Sequence, residues 1–380
     1  MRLVVHREIP DDRHLARQWN ELVQQMECPE VFYTHEWALA MSRAYRDSIT
    51  PLLMLAYEQD SLIGVAALAM DALQRDASFI AGRTADYCDF VSSQERRAEV
   101  VELIFGELQN LKVSQLVLAN LPADSVTCRA LALAAPTCEY SLFSRPAFRC
   151  AQVVLSSSEQ KNSTKQSVQR KQMLRRHLKT MSQIAPVELR HLRSRDDIAA
   201  ALPKFEQAHI ARFLSTARIS NLATPERRAF LAELANLLSG PGWITLTTLN
   251  VGDEPVAWNY GFQFAGSWFW YMPTFDSGFQ RYYPGLCLLA KIVEEACERP
   301  EINRVDLGLG AEGYKDRFGN STRQTLDVSM TKSWSRHLRE IVRYRAANAL
   351  KRSPKVESAV RRVLRRLRPT REVTPGTKSI

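Results

Sequence analysis

The sequence lacks an apolar run that could cross a lipid bilayer. None of its uninterrupted apolar stretches reaches the roughly 18 residues that a membrane-spanning helix needs. Its start, MRLVVHREIPDD, has neither an apolar h-region nor a small-residue cleavage site, so no secretory signal is visible. Both absences argue against an integral membrane or secreted protein, and we expect a cytosolic one.

Paired cysteine motifs are also missing. The seven cysteines include no C-x-x-C, their number is odd and most have apolar neighbours, so we expect reduced core residues. HEWAL at residues 35–39 begins like a zinc-protease helix, but Leu39 stands where the second histidine is needed. The sequence therefore supports no metal cofactor.

Acidic residues are scarce in one part of the chain only. Residues 332–371 contain fourteen Lys or Arg and two Glu, a net charge of +12, while residues 372–380 are neutral overall. Since the whole chain carries +10, the first 331 residues carry −2. The excess positive charge is thus confined to a C-terminal segment.

This basic segment has the pattern of two amphipathic helices that flank a break near Pro354. Apolar residues recur at helical spacing among arginines, and these are Ile341, Tyr344, Ala347, Val360, Val363, Leu364 and Leu367. Such a tail can pack one stripe on the body of the protein or contact an anionic membrane surface through residues 336–371. It can also bind RNA or a protein partner, whereas no DNA partner is expected.

The length of 380 residues exceeds what one hydrophobic core usually organises, so two domains are expected. The polar stretch SSSEQ and the basic run at 161–179 resemble a hinge between two halves. We therefore predict domains at 1–155 and 156–335, followed by a basic helical tail at 336–380.

Both halves show the same order of predicted elements: a strand, two helices, antiparallel strands, a helix and a buried strand. In the second half, the predicted strands are 186–192, 243–250, 255–264, 267–275, INRVDLGL and RQTLDVSMTK, and the predicted helices are 195–213, 225–238 and 286–298. The first half repeats the theme from a strand at 2–6, through helices near 13–26 and 35–46, to a strand at 114–120. The predicted fold class is α/β (α+β), with two copies of one unit around mixed central sheets.

The stretch VDLGLGAEGYKDRFG contains a Gly-x-Gly-x-x-Gly pattern at Gly308, Gly310 and Gly313. A dinucleotide site needs these glycines in a first βαβ unit, followed by an amphipathic helix of ten or more residues. Only nine residues separate Gly313 from the predicted strand at Arg323, and an antiparallel meander precedes the pattern. The glycines are therefore expected to turn the chain tightly or to admit a ligand close to the backbone.

The element order resembles the GNAT acyltransferase fold. Residues 271–319 resemble the core of the FemAB-related, CelD/BcsL-type (BioF2-like) acetyltransferases, in which a YDP…SPG loop and a helix precede a strand with DFGxGxExYKxxF. The matching positions of the second motif are Asp306, Gly308, Gly310, Glu312, Tyr314, Lys315 and Phe318. The first motif matches at Pro284, Gly285 and Leu286, whereas Phe275, Ser277 and Tyr283 replace the commoner Tyr, Pro and Ser. The resemblance covers about residues 160–335, and FYTHEW and ADYCDF extend it into the first half.

The resemblance implies transfer of an acyl group, expected to be acetyl, from acyl-CoA to an amine or hydroxyl acceptor. It also implies a place in cell-envelope or exopolysaccharide (cellulose-type) biosynthesis. Acyl transfer needs a base, an acid and a cation or donor for the oxyanion. Asp306 or Glu312 is the candidate base, Tyr314 the acid and Lys315 the cation. Alternatively, these residues cap a turn, pack against the body or form a solvated turn.

The loop QRYYPG before helix 286–298 is the candidate cofactor site. Free N–H groups and the positive end of the helix dipole attract a pyrophosphate, and Arg281 can add a bidentate contact. Tyr283, Pro284, Gly285 and Leu286 complete this loop, although Pro284 removes one donor. The alternative is a loop that merely caps a core helix.

Candidate acceptor-binding residues lie on two strands and one helix. Trp258, Asn259 and Tyr271 can face the acceptor pocket or can be core residues, and His209 with Arg212 resembles an H..R element of the family. Two further functions stay open. One is a FemAB-like transferase that uses aminoacyl-tRNA, with the RNA bound by residues 161–179 and the tail. The other is a non-catalytic, membrane-associated accessory protein of polysaccharide synthesis.

Overall fold

The computed structural model describes residues 1–71, 73, 75–310 and 312–351, with side chains up to residue 349. The strands are β1 (Arg2–His6), β2 (Thr50–Glu58), β3 (Ser61–Met70), β4 (Asp76–Phe79), β5 (Gln115–Pro122), β6 (Ser141–Val154), β7 (Val187–Leu192), β8 (Ile244–Val251), β9 (Glu254–Phe264), β10 (Ser267–Phe275), β11 (Arg304–Asp306) and β12 (Ser321–Thr331). The helices are α1 (Arg13–Gln24), α2 (His35–Ala44), α3 (Arg97–Asn110), α4 (Thr127–Thr137), α5 (Ser158–Gln169), α6 (Gln172–Ser182), α7 (Arg195–Ser215), α8 (Pro225–Leu238), α9 (Pro284–Glu298) and α10 (Trp334–Lys351). The predicted α/β (α+β) class with a mixed sheet is confirmed.

Several helices begin at the polar residues that favour a helix start. The Asp12 carboxylate accepts the His14 N–H at 2.7 Å at the start of α1, and the Ser194 hydroxyl accepts the Asp197 N–H at the start of α7. Pro225 occupies the first turn of α8, where its missing N–H costs no internal hydrogen bond. These local signals explain why the boundaries of α1, α7 and α8 were close to the predicted ones.

The twelve strands of the described residues form one sheet in the order β1-β2-β3-β4-β5-β12-β6-β11-β10-β9-β8-β7. β12, near the end of the chain, lies between β5 and β6 of the first half, while β6 lies between β12 and β11 of the second. Each half therefore contributes a strand to the other. Main-chain hydrogen bonds fix the two halves relative to each other.

Buried side chains also join the two halves. Trp37 of α2 packs edge-on against Phe230 of α8 and Phe262 of β9, with ring centroids 5.4 Å and 5.2 Å apart. The fully buried Glu30 carboxylate lies 2.7 Å from the Arg323 guanidinium and 3.2 Å from that of Arg304. Because a buried charge is tolerated only when it is paired, this cluster holds first-half and second-half residues in one arrangement.

The parallel strands β10 and β11 pair over only three residues and then separate. Residues 267–269 pair with 304–306, after which β10 continues to Phe275. The Leu307 N–H instead donates to the Ala151 carbonyl of β6 at 3.0 Å. Since ligands of α/β sheets bind beyond the carboxyl ends of parallel strands, this opening is where a site is expected.

Some parts of the chain differ from their predicted structure. The basic run at 161–179, interpreted as a hinge, forms most of α5 and α6, which pack on α9. β4, α4 and β6 were not predicted. Between Gly313 and the start of β12 at Ser321, the chain forms only a short helical turn, Lys315–Arg317, which agrees with the argument against a dinucleotide site.

No helix in the described ranges is long and apolar enough to span a bilayer. The first of the two expected tail helices is α10. Val360, Val363, Leu364 and Leu367, on which the second depends, lie outside the described residues. The predicted domain limits at 155 and 335 stay predictions.

Candidate active site

Asp306 lies at the end of β11 and is fully buried. Its Oδ1 accepts the Gly308 N–H at 2.8 Å, and its Oδ2 accepts the Tyr87 hydroxyl at 2.9 Å and the Gln152 side-chain amide at 2.8 Å. Three donors thus satisfy both oxygens of this carboxylate. Asp306 fixes the turn after β11 and ties it to the first half of the chain.

The glycines after β11 have backbone angles and neighbours that exclude a side chain. Gly308 and Gly310 have φ values of +70° and +106°, which favour glycine. A Cβ on Gly308 would lie 2.7 Å from the Asp86 carboxylate, and one on Gly310 would lie 2.7 Å from the Glu312 carboxylate. Gly308 therefore admits a carboxylate from the first half directly against the backbone of the motif.

Lys315 points back into this glycine turn. Its side chain is only 6% exposed, and its ammonium donates to the Leu309 carbonyl at 2.6 Å and lies 3.5 Å from the Gly308 carbonyl. Glu312 completes the arrangement with an ion pair of 2.8 Å, although its own side chain is 57% exposed. A buried cation is thereby held at a defined point of the loop instead of in a solvated turn.

Asp86 belongs to the loop between β4 and α3 and reaches the second half of the chain. Its carboxylate is buried and has no hydrogen-bond partner among the residues that the structure describes. Burial raises the pKa of Asp86 to about 8; the charge of Asp306 adds to this shift, and the charges of Lys315 and Arg227 oppose it. Asp86 is therefore a carboxyl group that exchanges a proton near neutral pH.

Tyr314 and Arg212 line the side of the opening nearest β10. The Tyr314 hydroxyl accepts the Trp270 indole N–H at 3.1 Å, and burial raises the pKa of this tyrosine. The Arg212 guanidinium donates to the Pro273 carbonyl at 2.9 Å and lies 4.9 Å above the centre of the Phe275 ring. Both predicted residues therefore belong to one cluster with β10.

His209 lies one turn before Arg212 on α7 and is buried. Its Nδ1 is hydrogen-bonded to the Ser220 hydroxyl at 2.8 Å, and its ring stacks on Phe213 at 4.6 Å. Burial, followed by the charges of Arg212 and Arg227, lowers the pKa of His209 to about 4. The imidazole is neutral at pH 7, so its role at that pH is that of a hydrogen-bonding group.

Tyr271 connects three elements at the base of the opening. Its hydroxyl donates to the Thr84 carbonyl at 2.5 Å and accepts a hydrogen bond from the Arg227 guanidinium at 2.7 Å. Thr84 belongs to the same loop as Asp86. This contact therefore helps to hold the first-half loop against the second half.

Two of the predicted acceptor residues lie in the interior. Trp258 is 2% exposed and belongs to the hydrophobic core. Asn259 is fully buried, and its side-chain amide donates to the Phe269 carbonyl at 3.3 Å. Neither side chain joins the cluster around Lys315.

The predicted cofactor loop has fewer free backbone donors than a phosphate cradle normally offers. Tyr283 adopts a left-handed conformation at φ 48° and caps α9, which begins at Pro284. Its carbonyl accepts the N–H groups of Leu286 and Cys287 at 3.0 Å and 3.1 Å. Of the first-turn N–H groups, only that of Gly285 lacks a partner in the described structure.

Basic side chains line a groove beside this loop, which has few free backbone N–H donors. Arg281 lines an open groove together with Arg176 and His177 of α6. The loop that follows Arg281 packs against the end of β10, since a Cβ on Gly285 would lie 3.4 Å from the Phe275 ring. A phosphate group in the groove would be held mainly by side chains.

Sequence reasoning missed three residues of this region: Asp86, Tyr87 and Arg227. The first two lie in the stretch ADYCDF, whose acidic and aromatic residues were the available signal. Their position could not be derived from the sequence, because the loop meets β11 more than 200 positions further along the chain. From the sequence alone, Arg227 is expected on the surface of α8, but its side chain is buried.

Comparison with known proteins relates part of the chain to a known domain family. Residues 168–316 match the family model of the acetyltransferase (GNAT) domain, and the matched range contains Asp306, Glu312, Tyr314 and Lys315. This part of the chain is thus similar to a GNAT acetyltransferase domain. No curated protein matches the chain in sequence.

Several solved structures share the fold over most of the chain. FemX superposes with a TM-score of 0.59 at 8% identity, covering 90% of this chain and all of FemX. The C-terminal domain of a protein described as a lysylphosphatidylglycerol synthetase, from Agrobacterium fabrum, has a TM-score of 0.55 at 10% identity, covering 88% and 95% of the two chains. A conserved protein from Bacteroides thetaiotaomicron has a TM-score of 0.53 at 12% identity, covering 83% and 96%. At these identities the likeness shows the fold, which extends beyond the GNAT-matched range into the first half.

Proposed function

We propose that the chain is an acyltransferase of the CelD/BcsL type, which moves an acyl group from acyl-CoA to an amine or hydroxyl of an envelope or exopolysaccharide precursor. The observation that carries this proposal is the pair formed by Asp86 and Lys315. Both lie against Gly308 at the opening between β10 and β11, where Asp86 provides a buried carboxyl group with a raised pKa and Lys315 a buried ammonium. The acceptor class rests on the family resemblance.

The chemistry follows from the surroundings of each group. Asp86 in its ionised form accepts the proton of the attacking amine or hydroxyl, a role that favours a pKa near the working pH. The Lys315 ammonium already contacts Glu312 and the Leu309 and Gly308 carbonyls, so it would stabilise the negative charge that develops on the carbonyl oxygen through its electric field and not as a free hydrogen-bond donor. Asp306 is less suited to act as the base, because three donors already occupy its oxygens. Glu312 orients Lys315 through their ion pair. Tyr314 would give its hydroxyl proton to the leaving thiolate and recover one from the solvent, to which Asp86 releases the proton that it accepted.

The donor would supply an activated acyl group as a thioester. Arg281, Arg176, His177 and the free N–H of Gly285 are the groups that would hold its phosphates, and Tyr283, Pro284 and Leu286 shape the loop around them. On the acceptor side we propose Arg212, His209 and Tyr271. Trp258 and Asn259 would then support the wall of the pocket from inside the sheet.

Ligand binding tests the donor directly. Thermal unfolding is measured with CoA, acetyl-CoA and longer acyl-CoAs, since a ligand at one hundred times its dissociation constant stabilises by about 2.7 kcal/mol. The shift should appear with the thioester and shrink in Arg281→Ala. Arg175→Ala is the matched control, because Arg175 is exposed on α6 but does not line the groove. Folded protein that responds to no CoA species contradicts the acyl-CoA proposal.

A second candidate, transfer from aminoacyl-tRNA, is favoured by the surface beside the groove. Residues 161–179 contain seven Lys or Arg and no acidic residue, and Arg170, Arg175 and Lys179 are exposed. FemX, which shares the fold, bears the name of the FemAB group in which such donors are used. If this candidate is right, the protein should bind tRNA, and the affinity should fall steeply as the salt concentration rises. Binding should be lost when these three residues are changed to Gln, and CoA should not bind.

A further inference from the structure

Helix α10 attaches to the protein by one face. Arg336 forms an ion pair of 3.0 Å with Asp76, and Glu340 accepts a hydrogen bond of 3.0 Å from Gln115. Tyr344, one further turn along, packs edge-on against an aromatic ring of β6. These three residues of α10 are spaced by four, so they define the inner face of the helix.

The opposite face of α10 is apolar and exposed. Trp334, Leu338 and Val342, also spaced by four, expose 68%, 42% and 55% of their surface. They lie two residues from the inner positions, which on an α-helix is a rotation of about 200°. The three side chains form a stripe about 12 Å long at a rise of 1.5 Å per residue.

The charges around this stripe have one sign. Arg339, Arg343 and Arg345 are exposed, and Arg345 continues the stripe one turn beyond Val342. Within the described side chains of α10, the one acidic residue is Glu340, which faces inward. The sequence that follows, residues 352–371, adds eight Lys or Arg and one Glu, whereas residues 1–331 carry a net charge of −2.

We propose that this outer face, formed by Trp334, Leu338, Val342 and Arg345, docks on an anionic phospholipid surface. A helix that combines an exposed apolar stripe with arginines lies in the interface of a membrane, where the stripe enters the acyl boundary and the arginines meet lipid phosphates. RNA offers phosphates but no apolar layer for Leu338 and Val342. The C-terminal region supplies the net positive charge of the chain, and it combines this charge with an exposed apolar stripe.

Vesicle binding tests this surface in the full-length protein. The protein is sedimented with vesicles of equimolar phosphatidylcholine and phosphatidylglycerol, and with vesicles of phosphatidylcholine alone. Binding is expected only with the anionic lipid. The triple variant Trp334→Ser, Leu338→Ser, Val342→Ser should lower the partition coefficient by at least about tenfold. Arg339→Gln and Arg345→Gln should each lower it by about fivefold.

The matched control is an exposed pair on another helix. Arg129 and Leu133 are spaced by four on α4 and are also exposed, with Leu133 at 65%. Arg129→Gln with Leu133→Ser should leave vesicle binding unchanged. All the changed side chains are exposed, so every variant should keep the native fold. Circular dichroism verifies this.

Insertion of the apolar stripe into the membrane can be measured separately by fluorescence quenching. Brominated phosphatidylglycerol should quench the fluorescence of the native protein more than that of Trp334→Phe, which should still sediment. Three results overturn the proposal: no vesicle binding by native protein, equal binding by the triple variant, or binding to RNA without binding to vesicles. Equal binding by the triple variant would move the contact to the basic sequence after α10.

Discussion

Two buried aspartates on one loop, Asp86 and Asp89, have opposite surroundings. Asp89 accepts hydrogen bonds of 2.5 Å from the Ser125 and Thr127 hydroxyls and lies 3.3 Å from the Arg97 guanidinium. Asp86, three residues earlier, has no hydrogen-bond partner in the described structure. Both side chains are almost equally buried, but within the described residues only Asp89 accepts side-chain hydrogen bonds and pairs with a cation.

The difference follows the path of the loop. Asp89 faces the interior of the first half, where its partners come from α3 and the start of α4. Asp86 faces the second half and meets the glycine turn after β11. A satisfied buried charge holds a fold together, whereas an unsatisfied one carries a cost that a protein retains for chemistry. The first half thus keeps one carboxylate for its own structure and contributes to the second half the one that we propose as the base.

The largest expected effect comes from removing the partner of the satisfied carboxylate. Arg97→Leu leaves Asp89 buried without its cation and should lower the free energy of unfolding by about 3–5 kcal/mol. Asp86→Asn should instead raise it at pH 7, because the amide replaces a carboxyl group whose raised pKa costs the fold stability between pH 4 and pH 8. Urea unfolding at pH 7 measures both. Equal losses would erase the distinction between the two aspartates.

The next effect concerns Lys315, the cation beside the reactive carboxyl group. Lys315→Met removes the proposed oxyanion partner and should lower kcat by about 10²–10³. Arg317→Ala is the control, because Arg317 is exposed on the same short helical turn. The assay follows thiol release from acetyl-CoA with a primary amine as the acceptor. A loss in kcat no greater than that of the control would remove Lys315 from the chemistry.

Asp86 itself should set the pH dependence of the reaction. Because its pKa is raised to about 8 and only the ionised form accepts a proton, kcat/KM should rise about tenfold per pH unit below this value and level off above it. Asp86→Asn should remove the rise and lower kcat/KM at pH 8 by about a hundredfold. A variant that keeps the rise would assign the titration to another group.

The raised pKa of Asp86 also affects the stability of the fold, which should decrease with rising pH, whereas kcat/KM should increase. The unfolded chain releases the Asp86 proton near pH 4, whereas the folded chain keeps it until about pH 8. Asp86 therefore stabilises the fold at low pH, and that contribution is lost as the pH rises through this window. In Asp86→Asn this part of the pH dependence should be absent from urea unfolding measured between pH 4 and pH 8.

Much of the second half could be predicted because its signals are local. β10 and α8 occupy the predicted ranges, since turn residues bound the strand and a proline begins the helix. β6 was missed because Arg145, Pro146 and Arg149 break its apolar pattern, and its partners β11 and β12 lie about 150 or more residues away. The exchange of β6 and β12 between the halves depends on pairing, which no local pattern reveals.

The residues of the candidate site also fall into those that a local sequence signal predicts and those that it does not. Lys315 and Tyr314 were predicted from a motif on one continuous stretch, and the structure places both at the opening of the sheet. Asp86 was not predicted, because a carboxylate in an irregular loop has no periodicity that signals burial. Trp258 was a candidate ligand residue from its strand pattern alone, and that pattern does not distinguish a pocket wall from a core.

The smallest effect tests whether Asp306 resembles Asp89 or Asp86. Tyr87→Phe keeps the buried ring but removes the hydroxyl that donates to Asp306, which should lower the free energy of unfolding by about 1.5 kcal/mol. Tyr314→Phe, the control, removes an acceptor of a single indole N–H and should cost less than about 1 kcal/mol. If Asp306 is structural, Tyr87→Phe lowers stability and leaves the rise of kcat/KM toward pH 8 in place. A shift of that rise in Tyr87→Phe, together with its persistence in Asp86→Asn, would identify Asp306 as the titrating base and reverse the comparison.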